Sequence, residues 1–406
     1  MHKFTNASDV LPYLMSLYGR RNVQELERYR ALLAQFKQTY GQSSCYLCSA
    51  SGRVEFVGNH TDHNGGRVLA CTVSLDIVAA FCPNGTDTIN IQGKNRRPIK
   101  FSIYDLSKTC GSAGIAKGVV AYLKGQGYAV GGFDVFTHST IPTGAGVSSS
   151  AAFETVIATI INECFNNGEI PLEQIAKAGQ FAENEYFNKP CGLLDQSVVA
   201  VGGVVALDFH NGLSYNRLTA GAALGKFQLA LINTGTSHSN LSPLYAAIPA
   251  EMRAVANYFN QQRLIDVDEH LFYSRYDEVV NAVGVRPALR AKHFFEENHR
   301  VDAIEAPLVA GDTAKVVEIV NSSGDSSQHQ LQNCAVDEQD SAIADIVTTV
   351  RAMCPCGARV HGGGFAGTVL CVVPTEYASD FLTKATQIYG ESVIPLRLRS
   401  VGAIVL

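Results

Sequence analysis

The stretch GRVEFVGNHTDHNGG (residues 52–66) places chemically capable side chains between apolar, strand-forming residues and glycines: Arg53, Glu55, Asn59, His60, Asp62 and His63. Carboxylate, amide and imidazole groups can each hydrogen-bond a polar ligand. An arginine next to a carboxylate favours the ionised form of that carboxylate. The stretch is therefore either a polar surface turn or one wall of a ligand site.

The stretch IPTGAGVSSSAAFE (141–154) has the features of an anion-binding loop. Gly144 and Gly146 permit backbone conformations and close approaches that a Cβ would prevent. The serines that follow open a predicted helix, whose first N–H groups and positive dipole end favour an anion. Ser149 and Ser150 add hydroxyls for a phosphate oxygen or Mg²⁺. The stretch lacks the lysine of a Walker A loop and the third glycine of a Rossmann fingerprint. An ordinary serine-capped helix after a glycine turn is the alternative.

A second glycine cluster lies in ARVHGGGFAGTVLCVVP (358–374), before a β-rich run: Gly362, Gly363, Gly364 and Gly367. Backbone amides in such a turn can approach a ligand closely. A tight turn between two strands is the alternative interpretation. Two glycine-rich segments in one chain favour a nucleoside triphosphate more than either segment does alone.

Two acidic residues stand out downstream. CGLLDQSVVAVGG (191–203) places Asp195 after a short apolar run, where a carboxylate is disfavoured unless it is paired. Arg53 is a candidate partner, and such a pairing marks functional sites. Glu183 lies in a predicted helix, where a solvated helix face is the alternative. Together the two acids would serve Mg²⁺ and the proton of an alcohol.

The whole chain has 406 residues, 46% of them hydrophobic and 17% charged, with a net charge of −5. These values predict a globular protein of two domains. The negative charge argues against nonspecific nucleic-acid binding, which needs a basic face. Eleven cysteines without a secretory segment favour a cytoplasmic protein with reduced thiols. No apolar run approaches the roughly 18 residues of a membrane span, so we expect no membrane partner.

Periodicity predicts an α+β fold, because helical and strand patterns mix without strict alternation. Predicted helices cover 8–42, 113–124, 149–165, 172–186, 250–259, 285–296, 301–319, 338–352 and 375–389. Predicted strands cover 44–49, 53–57, 67–72, 75–82, 86–92, 98–103, 132–139, 197–209, 227–233, 357–361, 367–374 and 397–405.

The motifs, in this order and spacing, resemble those of the GHMP small-molecule kinases, and of galactokinases in particular. The opening stretch resembles the galactokinase signature GRVNLIGEHTDYNGG. Four further segments resemble, in turn, the phosphate loop PxGxGLSSSA, the loop PCGIMDQ, the segment HSLASSEY and the third, glycine-rich motif: residues 142–152, PCGLLDQ (190–196), HSNLSPLY (238–245) and 362–367. The resemblance covers residues 28–406 and leaves 1–27 as an N-terminal extension of open role.

The resemblance implies a two-domain GHMP kinase fold with the active site in the cleft between domains 28–210 and 211–406. Asp195 would act as general base beside the sugar's anomeric hydroxyl, and Arg53 would hold it ionised and offset charge on the γ-phosphate. Mg²⁺ would be served by Ser150 and Glu183. The sugar would contact Asn59, His60, Asp62, Gly192 and Tyr245. The phosphates of ATP would contact Gly144, Ala145, Gly146, Val147, Ser148, Ser149, Ser150, Gly363 and Gly364.

The implied reaction is ATP- and Mg²⁺-dependent phosphorylation of galactose at C1, giving galactose 1-phosphate, by a monomer whose partners are the sugar and ATP. One alternative is the same reaction on a related sugar such as galacturonate or N-acetylgalactosamine. Another is a non-catalytic, galactokinase-like sugar sensor. Such sensors lack a Ser-Ala pair that this chain keeps at Ser150 and Ala151.

Three departures from the galactokinase pattern leave specificity open. Asn59 stands where galactokinases have a glutamate, so the identity of the sugar is open, and His63 replaces a tyrosine. The chain contains no tryptophan, although the family often has one near the adenine, at the position aligned with Ser112. Nucleotide preference is therefore open as well.

Overall fold

The computed structural model describes residues 2–19, 23–142, 146–189, 191–219, 225–235, 241–337, 340–365 and 367–406. The predicted α+β class is confirmed. The helices are α1 (Leu14–Tyr18), α2 (Val23–Tyr40), α3 (Gly111–Gly125), α4 (Ser149–Phe165), α5 (Leu172–Phe181), α6 (Leu194–Val201), α7 (Ser242–Tyr258), α8 (Glu269–Ser274), α9 (Tyr276–Val283), α10 (Val285–Ala310), α11 (Thr313–Ser326), α12 (Ala342–Met353) and α13 (Ala378–Tyr389).

The strands are β1 (Tyr46–Val57), β2 (Arg67–Pro83), β3 (Thr88–Gly93), β4 (Ile99–Ser102), β5 (Phe133–Ser139), β6 (Val204–Asp208), β7 (Ser214–Arg217), β8 (Phe227–Asn233), β9 (Gly357–His361), β10 (Thr368–Pro374), β11 (Val393–Leu396) and β12 (Ile404–Val405). They form two sheets. The first has the order β12-β1-β2-β5-β3-β4, with β6 pairing β2 and β7, and the second has the order β11-β8-β10-β9. Among the described residues, every pairing of these strands is antiparallel except that of β3 with β5.

Strand β1 is buried on both faces, and this places the site residues. Side chains alternate along a strand, so Val54 and Phe56 enter the core that α4 covers. Arg53 and Glu55 point the other way and are also buried. Glu55 pairs at 2.9 Å with Arg359 on β9, which joins the first sheet to the second.

The structure corrects the prediction of an extended segment at 197–209. Residues 194–201 form helix α6, and the strand is confined to Val204–Asp208. The run Val198–Val201 is apolar at every position, so periodicity alone could not separate a strand from a buried helix. Packing of this run between α4, α5 and β1 overrides the strand preference of its valines.

Other predicted boundaries were also wrong. Gly19, with φ of 65°, ends α1, so 8–42 is not one helix. The predicted helices 285–296 and 301–319 are divided differently in the structure. Helix α10 continues to Ala310, and a separate helix, α11, begins at Thr313, where the Asp312 side chain accepts from the Lys315 N–H. Within the predicted strand 397–405 the structure has β12 (Ile404–Val405), and β11 (Val393–Leu396) lies just before the predicted range.

The N-terminal extension is tied into the first sheet through Asp76, which is fully buried. Tyr18 donates to one carboxylate oxygen at 2.8 Å, and Arg28 and Arg399 form ion pairs with the carboxylate. Of the described residues before position 28, those from Phe4 to Tyr18 thus contribute buried side chains to the folded core. Along the described ranges, no helix combines the length and the apolar character that a membrane span would need.

Candidate active site

The loop that follows β1, here called the HTDH loop (residues 58–66), is anchored by helix α10. Glu297 accepts hydrogen bonds from the Gly58 N–H at 2.8 Å and the Asn59 N–H at 3.4 Å. His293 contacts the Asn59 carbonyl oxygen through Nε2 at 2.9 Å. Burial would raise the pKa of Glu297, but His293, Arg359 and Arg300 outweigh it and lower that pKa to about 2. The anchor is therefore an ionised, buried carboxylate.

Asn59 has its side-chain amide engaged within the protein. Its Nδ2 donates to the carbonyl oxygen of Gly362 at 2.9 Å, and its Oδ1 accepts from Nδ2 of Asn333 at 2.9 Å. The residue is 1% exposed. A sugar contact by this amide stays a prediction, and the contacts in place join the HTDH loop to the GGG turn (residues 362–365).

Asp195, in the first turn of α6, lies at the centre of the site. Arg53 donates to its Oδ1 from Nε at 2.8 Å and from Nη2 at 2.7 Å. Ser148 donates to its Oδ2. Arg53 also donates from Nη1 to the Gly146 carbonyl oxygen at 2.6 Å. The structure thus brings the predicted base, its predicted partner and the serine loop (residues 146–150) together.

The electrostatics keep Asp195 ionised. Burial alone would raise the pKa of Asp195, but the Arg53 guanidinium, the Ser148 hydroxyl and the Lys189 ammonium together hold that pKa below its usual value. The Asp195 side chain is 32% exposed, so a ligand hydroxyl can reach it. A carboxylate in this state can accept a hydrogen bond from an alcohol.

Asp62 and Gly192 lie against each other beside Asp195. Asp62 accepts from the Leu194 N–H at 3.2 Å. A Cβ added to Gly192 would lie 1.7 Å from Asp62 Oδ2, so any side chain at Gly192 would displace that carboxylate. Burial, aided by the charge of Asp195, raises the pKa of Asp62 to about 6. The two predicted sugar-contact residues therefore form one surface.

The remaining predicted sugar-contact residues, His60 and Tyr245, contact the GGG turn. His60 contacts the Gly363 carbonyl oxygen through Nε2 at 3.0 Å, and burial lowers the pKa of His60. Tyr245 donates to the Gly364 carbonyl oxygen at 3.1 Å. The carbonyls of this turn thus bind the protein, and a phosphate contact by Gly363 or Gly364 would use the N–H groups.

The serine loop opens helix α4. Ser148 has a left-handed φ of 61°, and Ser149 is the first residue of the helix. The Val147 carbonyl oxygen accepts from the Arg53 N–H at 3.3 Å. A Cβ at Gly52 would lie 2.7 Å from that oxygen, so the loop needs a glycine beside it. Gly144 and Ala145 lie outside the described residues.

Ser150 and Glu183 meet at the N-terminus of α4. The Ser150 hydroxyl donates to Glu183 Oε1, in a π-helical turn at Ala182–Tyr186. The described residues contain no cluster of three His, Cys, Asp or Glu side chains suited to a metal ion. A hydroxyl and a carboxylate next to the serine loop nevertheless fit Mg²⁺, which takes few protein ligands and completes its shell with phosphate and water.

Sequence reasoning missed several residues that complete the site: Lys189, His293, Glu297, Asn333 and Arg359. Lys189 contacts both oxygens of Glu183, at 3.3 and 3.2 Å. The one signal for it in the sequence is a lysine two residues before Cys191. The other four belong to elements far along the chain, and nothing in their local sequence indicates a site.

Two family models match parts of this chain, and curated relatives match most of it. Residues 34–83 match the galactokinase galactose-binding signature, and residues 114–203 match the GHMP kinases N terminal domain. The galactokinase of Glaesserella parasuis is 30% identical over 351 residues, 84% of this chain and 88% of that protein. The galactokinase of Clostridium tetani is 27% identical over 380 residues, 92% of this chain and 93% of that protein.

Solved structures share the fold. The Lactococcus lactis galactokinase, crystallised with galactose, superposes with a TM-score of 0.82 at 24% identity, covering 93% of this chain and all of that one. The Methanococcus jannaschii mevalonate kinase superposes with a TM-score of 0.63 at 14% identity, covering 88% of this chain and 99% of that one.

The fold and the matching family model define a GHMP kinase, an enzyme that transfers a phosphoryl group to a small molecule. Within that class, the chain belongs to the galactokinase family and is a sugar kinase.

Proposed function

We propose that this protein transfers the γ-phosphoryl group of ATP to the anomeric hydroxyl of galactose and releases galactose 1-phosphate and ADP. One observation carries the proposal: Asp195 is held ionised by Arg53 and Ser148, between the HTDH loop and the serine loop. A sugar hydroxyl at Asp195 therefore faces the N-terminus of α4, where the phosphates of a nucleotide would bind.

The reaction joins the C1 oxygen of the sugar to the γ-phosphorus and breaks the bond to the β–γ bridging oxygen, which leaves with ADP. The proton of the hydroxyl passes to Asp195. A carboxylate with a low pKa is a weak base, so Asp195 first orients the hydroxyl and accepts the proton late in the transfer. Such a base contributes roughly 10²–10⁴-fold, and positioning and charge stabilisation supply the rest.

We propose that Ser150 and Glu183 hold Mg²⁺ against the phosphates. Their contact at the start of α4 supports this assignment, because a hydroxyl and a carboxylate are ligands that Mg²⁺ accepts. The ion, when bound, offsets negative charge on the phosphates. Titration of turnover with Mg²⁺ after EDTA treatment tests this, and turnover that survives complete chelation would contradict it.

We propose that Asp62, His60, Gly192, Tyr245 and Asn59 form the sugar side of the site. A neutral His60 that donates from Nε2 to Gly363 keeps Nδ1 as an acceptor. The Asp62 carboxylate, held by the Leu194 N–H, is an acceptor for a sugar hydroxyl. The Asn59 amide on this side of the site already bonds Gly362 and Asn333. This arrangement gives no support to a sugar that bears a carboxylate.

A cytoplasmic location, a monomeric state and a domain boundary near residue 210 are further proposals. All eleven cysteines are free thiols, which suits a reducing compartment. Light scattering of the purified protein tests the monomer, and a particle of twice the chain mass would contradict it.

The boundary near residue 210 falls within the β6–β7 hairpin, so the first sheet continues past it to Arg217. The last strand, β12, also returns to this sheet by pairing with β1.

The substrate assignment is tested by a panel of galactose, galacturonate and N-acetylgalactosamine with ATP and Mg²⁺. We expect the highest kcat/KM for galactose. A kcat/KM for either other sugar about tenfold above that for galactose would overturn the assignment, and binding of galactose without turnover would favour the sensor.

A further inference from the structure

The guanidinium of Arg53 is engaged in hydrogen bonds and an ion pair within the protein. Each of the three nitrogens of Arg53 donates to Asp195 or to the Gly146 carbonyl oxygen. Its side chain is 5% exposed. Arg53 therefore holds the base and the serine loop in place, and little of its surface remains for a ligand.

Lys189 is a second cation in the same site, and it is far more accessible. Its side chain is 48% exposed, whereas that of its partner Glu183 is 3% exposed. Asn188, which precedes it, has a left-handed φ of 53°, and the Lys189 N–H donates to the Glu183 carbonyl oxygen at 3.0 Å. These contacts fold the chain back so that the ammonium lies over Glu183.

The ammonium of Lys189 lies beside the expected phosphate position. It contacts Glu183 Oε1 at 3.3 Å, and the same oxygen accepts from Ser150 at the start of α4. Its charge also acts on Asp195 and on Tyr245. An ammonium has three donors, and among the described residues its side-chain partners are the two oxygens of Glu183.

We infer that Lys189 is a catalytic residue that binds an oxygen of the γ-phosphoryl group of ATP through its remaining N–H, while Glu183 holds the ammonium in position. This inference rests on the proposed function, because it assigns Lys189 to the phosphoryl group being transferred. The lysine gives up no proton and forms no covalent bond. It offsets charge that moves onto the transferring oxygens, which is the main electrostatic need of the reaction.

The inference is tested by Lys189→Met, with Lys177→Met as the matched control, because Lys177 is a partly exposed lysine paired with Glu173 on α5. Calorimetry in EDTA without sugar compares binding of ADP with binding of the β,γ-imido analogue of ATP. We expect Lys189→Met to weaken the analogue about tenfold, to leave ADP within about twofold, and to lower kcat about 10²-fold in the Mg²⁺-supplemented assay. Lys177→Met is expected to match the parent, and Lys189→Arg to recover part of the lost affinity.

Unchanged affinities for both nucleotides in Lys189→Met would overturn the inference. An equal loss of affinity for both would overturn it as well, because it marks a structural role. A parent protein that binds both nucleotides but fails to phosphorylate galactose would instead refute the proposed function and leave the nucleotide result to stand by itself.

Discussion

Asn333 donates from its side-chain Nδ2 to Oδ1 of Asn59 over 2.9 Å, although 274 positions separate the two residues in the chain. Asn59 in turn donates to the Gly362 carbonyl oxygen. Asn59, which departs from the galactokinase pattern, therefore has one partner that needs a donor, the Gly362 carbonyl, and one that needs an acceptor, the Asn333 amide. A carboxylate at this position could accept from Asn333 but could not donate to Gly362.

Replacing Asn59 by aspartate tests that match at nearly constant volume. Asn59→Asp leaves the buried Gly362 carbonyl without its donor and places a negative charge near Glu297, so we expect a loss of about 1–3 kcal/mol in the free energy of unfolding. Urea denaturation measures it. Asn216→Asp, at an exposed position of β7, is the control and should leave the midpoint unchanged. A midpoint equal to that of the parent in Asn59→Asp would show that the amide carries no such role.

The hydrogen bond from Ser148 to Asp195 predicts a shift in the pKa of Asp195 when it is removed. Asp195 must be ionised to accept a proton, and its depressed pKa keeps it ionised as the pH falls. Ser148→Ala removes one bond to the ionised form, so the pKa of Asp195 should rise. Because Asp62, with a pKa of about 6, also shapes the acidic limb of kcat/KM, the shift is measured on the Asp195 carboxylate itself, by a carbon-13 NMR titration over roughly pH 2–7, where carboxylates titrate. An Asp195 pKa equal to that of the parent, or lower, would contradict the proposed contact.

The buried carboxylate of Glu297 predicts a pH-dependent loss of stability. Glu297 lies opposite Arg300 at 2.7 Å and accepts from the HTDH loop, so Glu297→Gln leaves cationic groups without compensation. We expect a loss of about 3–5 kcal/mol at neutral pH, as for other broken buried pairs. Because the folded pKa is lowered to about 2, this contribution is present above the unfolded pKa of roughly 4.3. The difference between parent and variant should therefore shrink as the pH falls from about 5 towards 2. A gap that is constant over that range would show that ionisation of Glu297 is unimportant.

The contact between Gly192 and Asp62 predicts a selective loss of sugar affinity. The added methyl of Gly192→Ala would overlap Asp62 Oδ2, so the carboxylate must move away from the sugar side of the site. We expect the KM for galactose to rise at least about tenfold, with the KM for ATP within about twofold. Gly125→Ala, where the added Cβ meets nothing within 4 Å, is the matched control. Equal rises in both KM values would indicate general damage to the site.

The sequence indicated which site residues would meet better than it indicated the elements that hold them. Arg53, Asp195, Ser150 and Glu183 carry recognisable local patterns, and the structure brings each pair into contact. Glu297 and Asn333 come from α10 and from the segment after α11, and their partners are backbone and amide groups of the HTDH loop. Such contacts are set by tertiary packing, so no local spacing of residues in the sequence predicts them. The valine-rich start of 197–209 was misassigned because a buried helix and a buried strand are alike in composition.

The account is tested most directly by product analysis of the reaction of ATP with galactose, for the parent and for Asp195→Asn. Phosphorus and proton NMR identify the hydroxyl that carries the phosphate. We predict galactose 1-phosphate as the product of the parent. In Asp195→Asn, which keeps the shape of the side chain but cannot accept the proton, we predict a rate lower by roughly 10²–10⁴-fold. Phosphate on another hydroxyl, or a variant as fast as the parent, would contradict the central claim.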